Sequence, residues 1–310
     1  MAVLHVTNGA AAAQDLRTLG HEVLTWDDVL HEGPVLPEPP DRLRETRARF
    51  LAGSGLASDL TEARARLAAR DARLDAVDFS TKLVLWFEDD LYDQLQLIQI
   101  LDRLATGEGA LRRSRPLGPV QLVHLPRGRR TFLRDRLARA ASLRESDHAT
   151  ARRAWRALTA PDPTGVQDVW LDLAGRPPAN LPDLAPALHR LLEEHPATTD
   201  GLGRTERQVL EALDGGPLHP QALFAAVTAR EERPFHGDAT LWWRARRLAP
   251  RLLTIGSDGA FALTADGRAV LAGEADAAAL LEPLDRWVGG VHHRTTAVAR
   301  YDPATRRLAV

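Results

Sequence analysis

A histidine among carboxylates, Asp28-x-x-His31-Glu32-Gly33-Pro34, is the segment of this 310-residue chain best equipped for proton chemistry. An imidazole exchanges protons near neutral pH and a neighbouring carboxylate can orient it, so His31 is the expected proton-transfer group and Glu32 or Asp28 its orienter. The competing reading is structural, with Asp28 capping a turn and Gly33-Pro34 reversing the chain. Glu88, Asp89, Asp90 and Asp93 then place four carboxylates within six positions, just ahead of Gln94. The positive end of a helix macrodipole accounts for some of that charge. The rest points to a polar ligand, with Glu88 joining the catalytic set and Asp90, Asp93 and Gln94 the binding set. A divalent metal could use these carboxylates with Asp28, but no spacing is diagnostic, so no metal ligands are assigned and the cofactor stays open.

Thr7-Asn8-Gly9 closes the first strand and could offer backbone N–H groups to an anion, and Trp26, at the end of the second strand, joins the binding set. It is neither a G-x-G-x-x-G fingerprint nor a P-loop. Arg127, Arg129 and Arg130 follow another predicted strand, as a clamp for phosphate or carboxylate or as a solvated basic loop.

These clusters matter because each ends a predicted strand. Strands at Val3–Thr7, His21–Thr25, Lys82–Phe87 and Val120–Leu125 alternate with helices at Ala10–Leu19, Asp41–Ala52, Ser58–Leu74 and Leu91–Leu104, the rhythm of a parallel α/β sheet. The third strand is apolar almost throughout and reads as central. In an open sheet of this type, Rossmann-like or flavodoxin-like, ligands bind at the carboxyl ends of the strands. The expected layout is an α/β ligand-binding domain over 1–158, a proline-rich linker with a helix over 159–199, a winged-helix-like α+β domain over 200–282 and a strand or hairpin tail over 283–310.

The winged-helix expectation rests on three short helices followed by a Gly-rich hairpin. Its third helix carries Trp243, Arg244, Arg246 and Arg247, which could face nucleic acid if Trp242, Ala245 and Leu248 face the core. Against DNA, residues 200–275 hold 9 basic and 10 acidic side chains rather than a basic footprint.

Charge is uneven along the chain: residues 1–102 hold 18 acidic and 10 basic side chains, whereas 111–156 hold 13 arginines and 3 acidic groups. The absence of cysteine excludes disulfides, thiolate nucleophiles and Cys-based zinc sites. No apolar run is long enough to span a bilayer and no basic leader precedes the first strand, so a cytoplasmic location without membrane contact is expected. Oligomeric state is not legible.

Leu4-His5-Val6-Thr7-Asn8-Gly9, Trp26-x-Asp28-x-Leu30-His31-Glu32-Gly33-Pro34 and Trp86-Phe87-Glu88-x-Asp90-Leu91-Tyr92-Asp93-Gln94-Leu95 resemble the bacterial family catalogued as domain of unknown function 1835. Arg204-Thr205-Glu206-Arg207, Pro234-Phe235-His236-Gly237-Asp238 and Trp287-x-Gly289-Gly290-Val291 are similar to the C-terminal part of its longer members. The resemblance implies no established activity. Relatives tend to carry Asp and a small hydroxyl residue where Ala10 and Ala11 stand, and often His in place of Asp89; a catalytic Asp there would make this chain impaired or specialised. The leading expectation is a protein that binds or turns over a small polar or anionic molecule, phosphorylated or nucleotide-like, at the sheet edge. The rivals are a ligand-responsive DNA-binding regulator and a non-enzymatic interaction module.

Overall fold

The computed structural model describes residues 2–106, 118–125, 132–294 and 299–309. Its centre is a five-stranded sheet in the order β2-β1-β3-β4-β5, from β1 (Ala2–Thr7), β2 (Glu22–Thr25), β3 (Thr81–Glu88), β4 (Val120–Leu125) and the short β5 (Ala141–Ser142). The first four strands are parallel and β5 runs antiparallel to β4. β1 lies between β2 and β3, so the chain crosses over in both directions from β1, and the switch point falls between the carboxyl ends of β1 and β3.

Alternation along the strands fills both faces of the sheet. Leu83, Leu85 and Phe87 of β3 pack with α4 (Leu91–Thr106), while Val84 and Trp86 face the layer of α1 (Ala10–Arg17). The apolar face of α4, at Leu91, Leu95, Ile98, Leu101 and Leu104, is buried. Between β2 and β3 the chain forms the helical pair α2 (Pro40–Gly53) and α3 (Leu60–Asp75), locked by Ala48, Leu51, Ala63 and Leu67. Proline at its first position starts α2, and the Asp59 carboxylate accepts from Glu62 N (2.8 Å) to cap α3.

Beyond α5 (Leu133–Ala138), the stretch 159–199, expected as a proline-rich linker with a helix, is instead core, as is the helix before it. α6 (Glu145–Thr159), α7 (Thr164–Gly175) and α8 (Leu184–Leu192) contribute Trp155, Val169, Leu188 and Leu191 to the same cluster as the sheet. The prolines at 177, 178 and 182 shape the α7–α8 connection, and apolar spacing inside α8 decides its burial.

A second core follows, built from α9 (Arg204–Leu213), α10 (Pro220–Thr228), α11 (Asp238–Arg247), the antiparallel hairpin β6 (Leu253–Ile255) and β7 (Phe261–Leu263), α12 (Ala265–Leu271) and α13 (Ala277–Leu280). A single antiparallel bridge joins Leu218 to Phe261. Two more hairpins, β8 (Arg286–Val288) with β9 (Val291–His293) and β10 (Arg300–Asp302) with β11 (Arg307–Ala309), return to the first core through Val288, Tyr301 and Leu308. The turn of the first of these presses against the end of α6, where a Cβ added at Gly290 would sit 2.1 Å from the Thr159 carbonyl oxygen. Among the described residues no helix is long and apolar enough to cross a membrane.

Candidate functional site

The loop after β2 is held from beneath by Arg47 of α2, which is buried. Its guanidinium donates to both Asp28 carboxylate oxygens and to the carbonyls of Val29 (2.8 Å), Glu32 (2.7 Å) and Pro34 (3.1 Å). Asp28 is therefore committed to Arg47 and does not orient His31. Gln96 of α4 adds a bond to the Asp28 carbonyl, and Trp26 Nε1 donates to Gln99 Oε1 (2.8 Å), placing Trp26 in the core rather than against a ligand. Gly33, at φ +70°, takes a turn that a side chain would strain. The fixed loop sends His31 and Glu32 inward, each 2% exposed.

They enter a buried ionic network where the two cores meet. Arg244 of α11 pairs with Glu32 (2.6 Å) and with Glu194, which follows α8. Glu194 also accepts from Arg190 (2.6 Å) and from the Thr205 hydroxyl (2.6 Å), and Arg190 reaches Glu231 (2.6 Å). Arg286 of β8 pairs with Glu206 of α9. The expectation that Arg244 faces outward is thus overturned: it is 3% exposed, because it is the counter-charge that lets Glu32 and Glu194 be buried. Arg246 and Arg247 do face solvent.

His31 packs edge-on against Phe235 (5.0 Å between centroids), His236 (5.3 Å) and Tyr92 (5.8 Å). Neither of its nitrogens has a hydrogen-bond partner. Burial, reinforced by the Arg244 charge, lowers its pKa to about 3, so it does not titrate near neutrality as expected of a proton-transfer group. Burial likewise raises the Glu32 pKa, against the pull of Arg244. For Glu194, burial also raises the pKa, but Arg244 and Arg190 prevail and hold it well below the usual range.

A cavity of about 480 Å³ opens beside this network, between the His31–Pro34 loop, α2, α11 and β8. Arg49, Arg244, Arg247 and Arg286 line it, with Glu32, Glu206 and Asp285 as the acidic members. Its aromatic surface is Phe50 set edge-on to Trp243 (5.4 Å), together with Trp287, which stacks on His292 at 4.0 Å. Arg247 lies over the Trp243 ring at 5.2 Å. Arg286 is 8% exposed, and its Nε and Nη2 have no hydrogen-bond partners.

At the switch point, the residues expected to bind ligand satisfy one another. Asn8 Nδ2 donates to Asp93 Oδ1, Glu88 N donates to Asp93 Oδ2 (2.5 Å), and Asp93 N donates to Asp90 Oδ1 (3.0 Å). Gln94 Nε2 donates to the Glu88 carbonyl (2.8 Å), and the Thr7 hydroxyl to the Trp86 carbonyl (3.1 Å). Burial, then the charge of Asp90, raises the Asp93 pKa well above the ordinary aspartate value. Gly9 opens α1 at φ +50°. The cavity is walled by Glu32 and by none of His31, Asn8 and Glu88, and Tyr92, beside Asp93 and against His31, links the two regions. Arg127, Arg129 and Arg130 lie outside the described residues.

Sequence reading missed Arg190, Glu194 and Arg286 altogether. For the first two the available signal was charge in and just after an apolar helix, Arg190 and Glu194 four positions apart beside Leu188, Leu191 and Leu192. Comparison with protein-family models gives no match, and neither does comparison with the curated proteins.

Proposed function

We propose that the chain binds a small anionic molecule bearing a flat ring, phosphorylated or nucleotide-like, in the cavity between the His31–Pro34 loop and α11. The observation that carries this reading is Arg286, a buried guanidinium on the cavity wall with two unmatched donor nitrogens. Leaving buried donors unpaired costs about 1–3 kcal/mol each, and phosphate or carboxylate oxygens would satisfy them with charge-assisted bonds. Trp243, Trp287 and Phe50 supply surfaces on which a ring can stack.

The unit from α9 to β7 is read as winged-helix-like, serving as the far wall of this cavity. Its third helix directs Arg244 into the protein and Trp243 toward the cavity, which favours an internal role over DNA contact. Membership of the family called domain of unknown function 1835 is proposed on the motifs that meet here: Asp28 to Pro34, Arg204 to Arg207, Pro234 to Asp238 and Trp287 to Val291.

The test is calorimetric titration of EDTA-treated protein with a nucleoside diphosphate, a sugar phosphate and inorganic phosphate. At least one should bind, and Arg247→Ala and Trp243→Ala should each weaken it about tenfold or more, whereas Arg246→Ala, one position away and outside the cavity lining, should not. Equal affinity in all three variants removes the site.

A further inference from the structure

The geometry points to a divalent transition-metal site formed by His31, Glu32 and His236, of which Glu32 also lines the cavity. One ligand atom from each of these residues falls within 4.8 Å of the others. Ligands held at ~2.1 Å around a metal sit ~3.4 Å apart, so closure needs side-chain shifts of about an ångström.

The hydrogen bonds around His236 favour ligation. The Thr205 hydroxyl has one proton, which it donates to Glu194 Oε1 (2.6 Å). It must therefore accept from His236 Nε2, 2.9 Å away, which places the imidazole proton on Nε2 and leaves a lone pair on Nδ1. That Nδ1 is buried without a partner. A histidine whose second nitrogen is anchored in this way is the usual form of a metal ligand. His31 supplies an independent observation, being 2% exposed with both nitrogens unpartnered.

Charge balance agrees. The buried ion pairs of this region set four carboxylates, Glu32, Glu194, Glu206 and Glu231, against three guanidiniums, Arg190, Arg244 and Arg286. One negative charge is in excess, and a divalent ion carrying hydroxide or a ligand oxyanion would compensate it. Two imidazoles and one carboxylate suit Zn²⁺, Co²⁺, Mn²⁺ or Fe²⁺ better than Mg²⁺ or Ca²⁺. Glu32 would share its carboxylate between Arg244 and the ion.

This inference does not depend on the anionic ligand, and its test contains none. EDTA-treated full-length protein is titrated with Co²⁺ and followed by visible absorption. The expected result is d–d bands saturating at one equivalent, lost in His31→Gln and His236→Gln and kept in His195→Gln, a buried histidine outside the cluster. Thr205→Val should weaken binding about 10–100-fold. Should the glutamine variants fail to fold, X-ray absorption of the Zn²⁺-loaded unaltered protein should show imidazole scattering from two ligands. Absence of saturable bands, glutamine variants that bind like the parent, or a zinc shell without imidazole would each overturn the site.

Discussion

Asp28 shows how the same residue types serve chemistry or architecture according to what the fold places opposite them. From the sequence it is a carboxylate three positions from a histidine; in the fold it is the counter-ion of Arg47, and together they hold the loop that drives His31 and Glu32 into the junction. Removing one member of a buried ion pair leaves the other uncompensated, which typically costs about 3–5 kcal/mol. Asp28→Asn should therefore destabilise the protein by that amount in urea unfolding, far more than Asp41→Asn at an exposed helix start. Loss of less than about 1 kcal/mol would mean that Arg47 finds other partners readily. Arg244 carries the matching lesson. Its position on a helix with Arg246 and Arg247 suggested a basic outer face, but helical periodicity turns 244 toward the side of Leu241, Ala245 and Leu248.

At the scale of elements, the alternation of strands and helices was legible because hydrophobic periodicity is a local property, and the parallel sheet, its buried central strand and the apolar face of α4 all follow from it. What was not legible is the meeting of distant segments. Nothing near Glu32 in the sequence indicates that Arg244 will neutralise it, and proline density between α6 and α8 concealed helices whose apolar faces belong to the main core. The Trp287-x-Gly289-Gly290 turn has a steric meaning that appears only when α6 is present. Gly290→Ala would drive a methyl group into the Thr159 carbonyl, and backbone does not yield as a side chain does. A drop in Tm of several degrees is expected, whereas Gly175→Ala, with open space around it at the end of α7, should leave Tm unchanged or raise it. Equal effects at both positions would contradict the close approach of this hairpin.

For the whole molecule, the junction between the two cores concentrates buried ionisable groups, and this makes stability depend on pH. His195 and His293 share a hydrogen bond (2.9 Å), and burial lowers their pKa to about 3 and about 2, against 6.5 in the open chain. The unfolded state then binds protons more readily than the folded one, so the stability these groups confer is complete above about pH 6.5 and is lost as pH falls below it, by up to about 1.4 kcal/mol per pH unit for each histidine. Urea midpoints should decline from pH 7 to pH 5, and His195→Gln should flatten the decline; a flat wild-type profile would contradict the burial of this pair.

The proposed ligand site lies at the same junction, and tryptophan reports on it. Of the seven tryptophans, Trp243 and Trp287 line the cavity, while Trp26, Trp86, Trp155, Trp170 and Trp242 do not. The most direct measurement is a set of indole N–H spectra of ¹⁵N-labelled protein recorded during titration with a nucleoside diphosphate. The resonances of Trp243 and Trp287 should shift in a saturable way while the other five hold still. Saturable shifts confined to the other five, or no shift at any concentration that the calorimetric affinity requires, would contradict a ligand site at the junction.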